Sequence, residues 1–271
     1  MTRLARVNGL IAVRRHAPLF RNLVRREIRQ RYRASALGLV WTLVNPAIVV
    51  VAYWFVFRFV LNTGANDPYA LFLFTGLAVW AVFMGGMQSA ASSLIANASL
   101  VTKVRFPREI VPLSAMTGQW FTAAAMFAIA VPLCLILADG WSAALVSVPF
   151  LIVFLGLFTA GCSLIVAAVN VYFRDTQHIL DALAVPWFFL TPVLYSFDML
   201  TSLEDNESWV IDVLHYANPI SPFVIGIRDA LFHGRWPAAG DVIYCVVAGI
   251  VMCALGVAVF RRLEREMAVE L

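Results

Sequence analysis

The sequence contains little charge. Only 13% of its 271 residues are Asp, Glu, Lys or Arg, whereas 62% are hydrophobic. Soluble domains average about 25% charged and roughly 45–50% apolar residues. A chain of this composition cannot cover a folded surface with polar groups, which excludes an ordinary soluble domain. Apolar runs of about 20 residues recur along the chain, so a single cleaved signal peptide does not explain them.

Residue types that carry metal or nucleophile chemistry are also scarce. The four cysteines lie in apolar runs without a CxxC pair, and we interpret them as packing residues. The four histidines are far apart and form no HExxH motif. These residues are Cys134, Cys162, Cys245, Cys253, His16, His178, His215 and His233. We therefore expect no metal site, no catalytic residues and no enzyme activity.

Lysine is almost absent, which bears on the source of energy. Lys103 is the only lysine and has no glycine near it, so the phosphate-binding G-x-x-x-x-G-K-[ST] loop cannot form. Few charges interrupt the apolar runs: Arg58 lies near one end of the first run and Asp181 near one end of the fifth. A carrier driven by protons or sodium is expected to hold a carboxylate near the membrane midplane. We therefore expect no cofactor on this chain, and any nucleotide energy must come from a partner.

Six apolar runs predict an all-α membrane protein with six transmembrane helices. Helices follow because backbone groups in lipid must be satisfied within the segment itself. The runs cover residues 38–61, 70–94, 111–137, 143–169, 179–197 and 241–260.

The basic residues predict the orientation of these spans. The residues before the first span, the loops after the second and fourth spans and the C-terminus together hold 17 of the 20 basic residues. The positive-inside rule places those segments in the cytoplasm, so we read the positive charge as a topology signal rather than a nucleic-acid site. The predicted organisation is a cytoplasmic N-terminus at 1–37, a transmembrane domain at 38–260 and a cytoplasmic C-terminus at 261–271.

Two sets of residues recur at every fourth position before the first span. The apolar set is Phe20, Val24, Ile28 and Tyr32, and the basic set is Arg21, Arg25, Arg29 and Arg33. This pattern predicts an amphipathic helix on the membrane surface. Such a helix could be a basic anchor for anionic lipid or a docking surface for a cytoplasmic partner.

The loop between the second and third spans mixes charge with apolar residues. Residues 97–110 include Leu100, Val101, Val104 and Phe106 and then turn at Pro107. A short cytoplasmic helix that presents an apolar knob would have this composition. An ordinary polar turn is the alternative, although a turn does not need those apolar residues.

Two prolines interrupt the fifth span. Pro186 and Pro192 each remove a backbone donor, which predicts a helix broken in its outer half. Non-helical backbone at that depth needs protein or water around it.

Two short amphipathic pieces follow in about 40 residues on the outer side. The first contains Trp209, Val210, Val213 and Leu214, and the second contains Phe223, Ile227 and Leu231. We predict Ser221 as the N-cap of the second piece, Pro222 in its first turn and Gly234 just past its end. Both pieces are too short to span, so we expect them to lie at the outer interface or to dip into the membrane and return.

Several segments resemble the membrane subunits of ABC transporters that export O-antigen, teichoic acid and related polysaccharides. The resemblance extends over nearly the whole chain. Its most specific parts are residues 25–38 with Trp41 and Asn45-Pro46, and residues 100–110 with Pro112. Supporting parts are residues 170–175, 191–195, 218–219 and 227–229.

The resemblance implies a homodimer of six-helix subunits in the bacterial inner membrane, each bound from the cytoplasm by a separate ATPase subunit. Its cargo would be a polysaccharide on undecaprenyl pyrophosphate. The amphipathic helix would be the interface helix, residues 97–110 would contain the coupling helix, and the two outer pieces would be periplasmic gate helices.

The resemblance also implies roles for individual residues. Coupling to the ATPase falls on Leu100, Lys103, Arg105, Phe106, Pro107, Arg108 and Glu109. The interface helix, with a contact to the pyrophosphate, falls on Arg25, Arg29, Arg31, Tyr32 and Arg33. The gate and channel fall on Pro186, Pro192, Tyr195, Phe223 and Ile227.

Three other functions remain as alternatives. A secondary carrier is opposed by the lack of midplane carboxylates and of obvious inverted repeats. A membrane enzyme acting on polyprenyl phosphates would need a catalytic acid or metal-binding carboxylates at the membrane face, and the sequence has no DxxD motif or paired Glu there. An ABC permease of the same fold could instead export teichoic acid, capsule, lipid or a drug, because the coupling segments report poorly on cargo.

Overall fold

The computed structural model describes residues 9–32, 40–56, 59, 69–104, 106–137, 141–197, 211, 213–264 and 267. These parts of the chain are almost wholly helical. The α-helices are α1 (Gly9–Tyr32), α2 (Trp41–Phe55), α3 (Tyr69–Ala91), α4 (Ser93–Ala96), α5 (Ala98–Lys103), α6 (Ile110–Leu137), α7 (Ser147–Tyr172), α8 (Thr176–Leu190), α9 (Ser221–Leu231) and α10 (Ala239–Leu263). A 3₁₀ turn at Ala143–Val146 precedes α7, and a π-helical turn at Val213–Ala217 precedes α9.

Four helical segments in the described ranges are long and apolar enough to cross a membrane. They are α3, α6, the continuous unit Ala143–Tyr172 that contains α7, and α10. They coincide with the second, third, fourth and sixth predicted runs and differ from them by a few residues at their ends.

The helices in the first and fifth predicted runs are shorter. Both α2 and α8 have 15 residues, or about 22 Å at 1.5 Å per residue, against a hydrocarbon core of about 30 Å. Part of the first run, at 38–39, 57–58 and 60–61, lies outside the described residues. Membrane crossing by these two runs therefore stays a prediction.

The fifth run breaks where Pro192 predicts. Helix α8 ends at Leu190, directly before Thr191-Pro192, because a proline disfavours helical backbone in the preceding residue and lacks an N–H. Pro186 lies inside α8 and does not end it. The residues after the break form turns rather than the helix expected to 197.

Helices α7 and α10 pack backbone against backbone. A Cβ on Gly161 of α7 would lie 2.7 Å from the Cys253 nitrogen of α10 and closer still to the Met252 carbonyl. A Cβ on Gly256 of α10 would lie 2.8 Å from the Gly161 carbonyl carbon. Small residues of this kind let helices approach closely inside a membrane, where van der Waals packing drives association.

Helix α9 lies in the core of the molecule. Every residue of α9 except Ile225 is buried. The Phe223 ring packs 5.9 Å from that of Phe158 in α7, and Phe158 lies 5.8 Å from Phe83 in α3. This burial places α9 inside the protein rather than on its surface, which neither sequence expectation had specified, and a dip into the membrane stays a prediction.

The caps of α9 differ in part from the prediction. Ile220 is the N-cap, and the Ser221 hydroxyl donates instead to the Leu214 carbonyl over 2.7 Å, so the predicted Ser221 cap is wrong. The hydroxyl is used to hold the preceding π-helical turn against α9. Pro222 lies in the first turn as predicted, and Gly234 follows the helix with a φ of 61°.

Candidate functional site

One end of the molecule gathers the basic segments, and we call it the basic end. There α1, the loop 97–110 and the last turns of α7 and α10 share one apolar core. Leu23 of α1 packs in this core with Val101 of the loop, Val171 of α7 and Phe260 of α10. The amphipathic helix and the loop are therefore seated on the same helix ends.

Asn97 joins the loop to α1. It stands between α4 and α5 and is buried. Its side-chain amide donates to the Ser93 carbonyl over 2.8 Å, and its side-chain oxygen accepts a hydrogen bond from the Arg26 guanidinium of α1. Sequence reasoning missed this link, and the only signal for it was an Asn between two short helical segments.

The predicted apolar knob is largely packed inward. Val101 is buried, and Leu100 and Phe106 are half-buried against the core of the basic end. Val104 alone among the four apolar residues is well exposed, at 50%. The four residues therefore do not form one knob, because helix α5 turns Val101 toward α1 and α7.

The remaining predicted coupling residues of the loop divide into two groups. Lys103 is exposed at the end of α5, Pro107 is half-buried, and Arg105 lies outside the described residues. Arg108 donates to the Glu264 carbonyl over 2.8 Å, and the Glu109 carboxylate pairs with Arg261 over 2.8 Å. Arg108 and Glu109 thus bind the end of α10 rather than project freely.

The end of α10 is a junction at the basic end. Besides these two contacts, the Tyr172 hydroxyl of α7 donates to the Leu263 carbonyl over 2.6 Å. Burial, together with the nearby Glu109 carboxylate, raises the pKa of Glu264. The loop, α7 and α10 are therefore connected by polar contacts as well as by the apolar core.

The arginines of α1 line an open groove of about 760 Å³. Its walls are formed by Asn22, Arg25, Arg26, Arg29 and Gln30. Guanidinium groups pair with phosphate in a planar, two-pronged geometry, so such a groove suits an anionic headgroup. The predicted residue Arg33 and the side chains of Arg31 and Tyr32 lie outside the described residues.

The opposite end of the molecule holds the residues 191–197 that follow α8 and form turns, which we call the broken tail of α8. Arg228 of α9 is 4% exposed and donates to the carbonyls of Pro192, Val193 and Phe72 over 2.7, 2.9 and 3.3 Å. Its guanidinium also lies 3.5 Å from the centre of the Phe72 ring. Gly76 leaves room for it, since a Cβ there would lie 2.5 Å from the Arg228 side chain.

A second side chain caps α8. The Asn218 amide donates to the Leu190 carbonyl over 3.2 Å and to the Thr191 hydroxyl over 2.9 Å, and its oxygen accepts from the Trp187 indole over 3.0 Å. These bonds satisfy groups that a helix end leaves without partners. Asn218 and Arg228 together hold the break, and sequence reasoning assigned neither of them this role.

The predicted gate residues fall into two groups. Pro186 is exposed, and Tyr195 is half-buried with its hydroxyl donating to the Leu190 carbonyl over 3.3 Å. Pro192, Phe223 and Ile227 are buried in the protein. A gating role for Phe223 and Ile227 would therefore belong to α9 moving as a body rather than to exposed side chains.

Comparisons with known proteins identify relatives over most of the chain. Residues 18–232 match the sequence profile of the ABC-2 type transporter membrane family. An O-antigen export system permease protein RfbA from Myxococcus xanthus is 31% identical over 252 residues, which cover 91% of this chain and 93% of that protein. Two proteins of the same description from Klebsiella pneumoniae are each 28% identical over 91% of this chain and 92% of their own length.

Proposed function

Because this chain belongs to the ABC-2 type transporter family, we propose that it is the permease subunit of an ATP-driven exporter of a lipid-linked polysaccharide such as O-antigen. The observation that carries the proposal is the likeness, over 91% of the chain, to permeases of O-antigen export systems. The cargo would be carried on undecaprenyl pyrophosphate and moved across the bacterial inner membrane. A separate ATPase subunit would bind ATP and Mg²⁺.

In this proposal the basic end faces the cytoplasm, as the positive-inside rule requires, and both termini lie there. A second copy of the chain would complete the passage. Helices α2 and α8 each expose large apolar side chains in a single chain, and these would meet lipid or that second copy. Examples are Ile48, Phe55, Val185 and Phe189, each more than half exposed.

The loop 97–110 would receive the motion of the ATPase. It offers Lys103 and Val104 outward, while Asn97, Arg108 and Glu109 connect it to α1 and α10. A push on the exposed part would therefore reach the ends of the spans directly.

The Glu109–Arg261 pair provides a prediction about this connection. Reversing one charge, in Glu109→Arg or in Arg261→Glu, should lower ATP-driven export several-fold, because like charges then meet at the junction of the loop and α10. The double reversal should recover most of the export, since the pair is restored with its polarity exchanged. Export is measured as polysaccharide at the cell surface, with permease content quantified in the same membranes.

Two results would contradict this assignment. Full export in both single variants would show that the pair transmits nothing. A double variant as defective as the single variants would indicate that Glu109 acts on the ATPase itself, as the sequence resemblance implies, rather than through Arg261.

Deletion and complementation test the proposed function. Deleting the gene in its own host should remove polysaccharide from the surface and leave lipid-linked glycan inside, and returning the full chain should reverse both. Surface polysaccharide is measured by gel and blot, and the lipid-linked glycan by mass spectrometry of membrane extracts. Normal surface polysaccharide in the deletion strain would overturn the cargo, and export that persists when the partner ATPase is inactivated would overturn the energy source.

The same strain tests the groove on α1 as a pyrophosphate contact. Removing charge in the double variant Arg25→Gln and Arg29→Gln should weaken binding of the lipid-linked glycan by about tenfold or more, because charge-assisted hydrogen bonds to phosphate are lost. Binding is measured on purified permease–ATPase complex with glycan extracted from the deletion strain. Unchanged binding and export in a normally assembled complex would leave the arginines with topology as their only role.

A further inference from the structure

A carboxylate and an amide meet between two helices near the basic end. The side-chain amide of Gln88 in α3 donates to the carboxylate of Asp181 in α8 over 2.8 Å. Asp181 is exposed and Gln88 is half-buried. Asp181 is also the acidic residue that interrupts the fifth apolar run, so the function described above does not account for it.

These groups are set into apolar helices rather than placed beyond their ends. Asp181 stands five residues after the start of α8, about 7.5 Å along the axis, and Gln88 stands three residues before the end of α3, about 4.5 Å along it. Gln119 of α6 adds a third polar group beside them. Its side-chain amide covers Gly85 of α3 and would lie 2.7 Å from a Cβ built on that glycine. Three helices therefore contribute polar side chains to one strip.

An exposed carboxylate at this position is not compatible with acyl chains around it. Charged residues within membrane helices face protein or water-filled cavities, because transfer of the charge into hydrocarbon is strongly unfavourable. A carboxylate offers about four acceptor positions, and Gln88 donates to one of its oxygens. The strip therefore has room for further hydrogen-bond donors from an aqueous space.

We propose that Asp181, oriented by Gln88, is a contact for sugar hydroxyl groups of the cargo at the cytoplasmic end of the passage. The inference rests on the proposed function and adds a cargo-binding residue to it. A carboxylate accepts hydrogen bonds from neutral sugar hydroxyls, and an adjacent amide can donate as well as accept. Recognition of this kind needs no charge on the sugar and tolerates successive residues of a long chain.

Water access and cargo protection provide the first test. In a background with the four native cysteines changed to alanine, Asp181→Cys is compared with Leu183→Cys, which lies about 200° around α8. A membrane-impermeant maleimide applied to inside-out vesicles should label Asp181→Cys, and lipid-linked glycan extracted from the deletion strain should reduce that labelling at least fivefold. Labelling of Leu183→Cys should not respond to the glycan. Absence of labelling at 181, or labelling that the glycan does not reduce, would overturn the proposal.

Stimulation of the ATPase by its cargo provides the second test. In proteoliposomes of the full complex, Asp181→Ala should raise the glycan concentration for half-maximal stimulation about tenfold, and Asp181→Asn should raise it at least threefold. The matched control Asp175→Asn removes a charge from the exposed turn before α8 and should leave that concentration unchanged. A wild-type response in Asp181→Asn, with equal defects in Asp181→Ala and Gln88→Ala, would show that the pair only ties α3 to α8 and would overturn the proposal.

The two levels of inference fail differently. If the wild-type complex is not stimulated by the extracted glycan, the proposed cargo is wrong whatever the variants do. If the wild type is stimulated and the Asp181 variants match it, only the sugar contact is wrong.

Discussion

Replacing Arg228 with alanine should remove most of the folded protein from the membrane. The guanidinium donates to three carbonyls, on Phe72, Pro192 and Val193, and fills the space beside Gly76. A buried polar group left without its partner costs about 1–3 kcal/mol, against a total stability of about 5–15 kcal/mol for a typical domain. The Phe72 carbonyl keeps its hydrogen bond from the Thr75 hydroxyl, but the carbonyls of Pro192 and Val193 would both lose a buried donor, which threatens the fold rather than a local loop.

The measurement is the amount and melting temperature of the detergent-purified protein, followed by size-exclusion chromatography after heating. We expect Arg228→Ala, where it can be purified at all, to melt roughly 5 °C or more below the wild type. Arg228→Lys should recover only part of this loss, since an ammonium group cannot present the guanidinium fork to three carbonyls.

Arg235→Ala is the matched control for this variant. Arg235 lies seven residues further along the chain, is 61% exposed and pairs with Asp229 over 2.8 Å. Arg235 makes this contact from solvent, but Asp229 is buried, so Arg235→Ala leaves one buried carboxylate without its partner and should lower the melting temperature by less than the loss of the Arg228 contacts. Equal melting temperatures for Arg228→Ala and Arg235→Ala would show that the three carbonyl contacts do not stabilise the protein.

Adding a single methyl group at Gly161 should destabilise the protein strongly. The new Cβ would meet the backbone of Met252 and Cys253, and backbone cannot rotate away as a side chain can. Helices α7 and α10 would have to separate along the contact that also includes Gly256. Overpacking of this kind costs typically about 1–3 kcal/mol, and Gly161→Leu should prevent assembly altogether.

Gly240→Ala serves as the control, because it adds the same methyl group to α10 where there is space. The nearest atom to its Cβ would be the Tyr216 hydroxyl at 3.8 Å, an ordinary contact. Alanine is favoured over glycine by about 1 kcal/mol in a helix interior and by less at the second residue of a helix, where Gly240 lies, so this variant should melt at or slightly above the wild-type temperature. Changes of the same sign and size at 161 and 240 would contradict close backbone packing at Gly161.

Helix positions could be predicted largely from the sequence. The four long apolar helices coincide with predicted runs because hydropathy alone decides which segments avoid water. The end of α8 could also be predicted, since Pro192 acts through its own missing N–H and its effect on the residue before it. These are local causes, and local causes can be read from a sequence.

The side chains that bind the backbone at the end of α8 could not be predicted. Arg228 entered the sequence analysis only within residues 227–229 of the resemblance, because nothing in its neighbours says that it reaches carbonyls 35 and 36 residues earlier in the chain. The burial of α9 was missed for the same reason: its apolar and polar residues fit a surface helix equally well. The one available signal was the break at Pro192 itself: it leaves backbone carbonyls without helical partners, so a donor from elsewhere in the chain must reach them.

The loop 97–110 was predicted in outline and not in detail. Its composition indicated a short helix, and α5 is there. Which side chains face outward depends on how α5 is seated against α1 and α7, so the burial of Val101 and the link from Asn97 to Arg26 were not predictable. The sequence resemblance assigned Glu109 to the ATPase without indicating its pairing with Arg261.

The attachment of Arg228 to the broken tail of α8 has a consequence for biosynthesis. Arg228 follows Pro192 by 36 residues, and chains grow at about 5–20 residues per second, so the carbonyls at the break wait roughly 2–7 s for their donor. Backbone groups without partners are poorly tolerated in lipid. In the proposed topology, the outer end of the predicted fifth span would therefore remain in water or within the insertion machinery until α9 has been made, and a nascent chain released before residue 228 would be a substrate for membrane proteases.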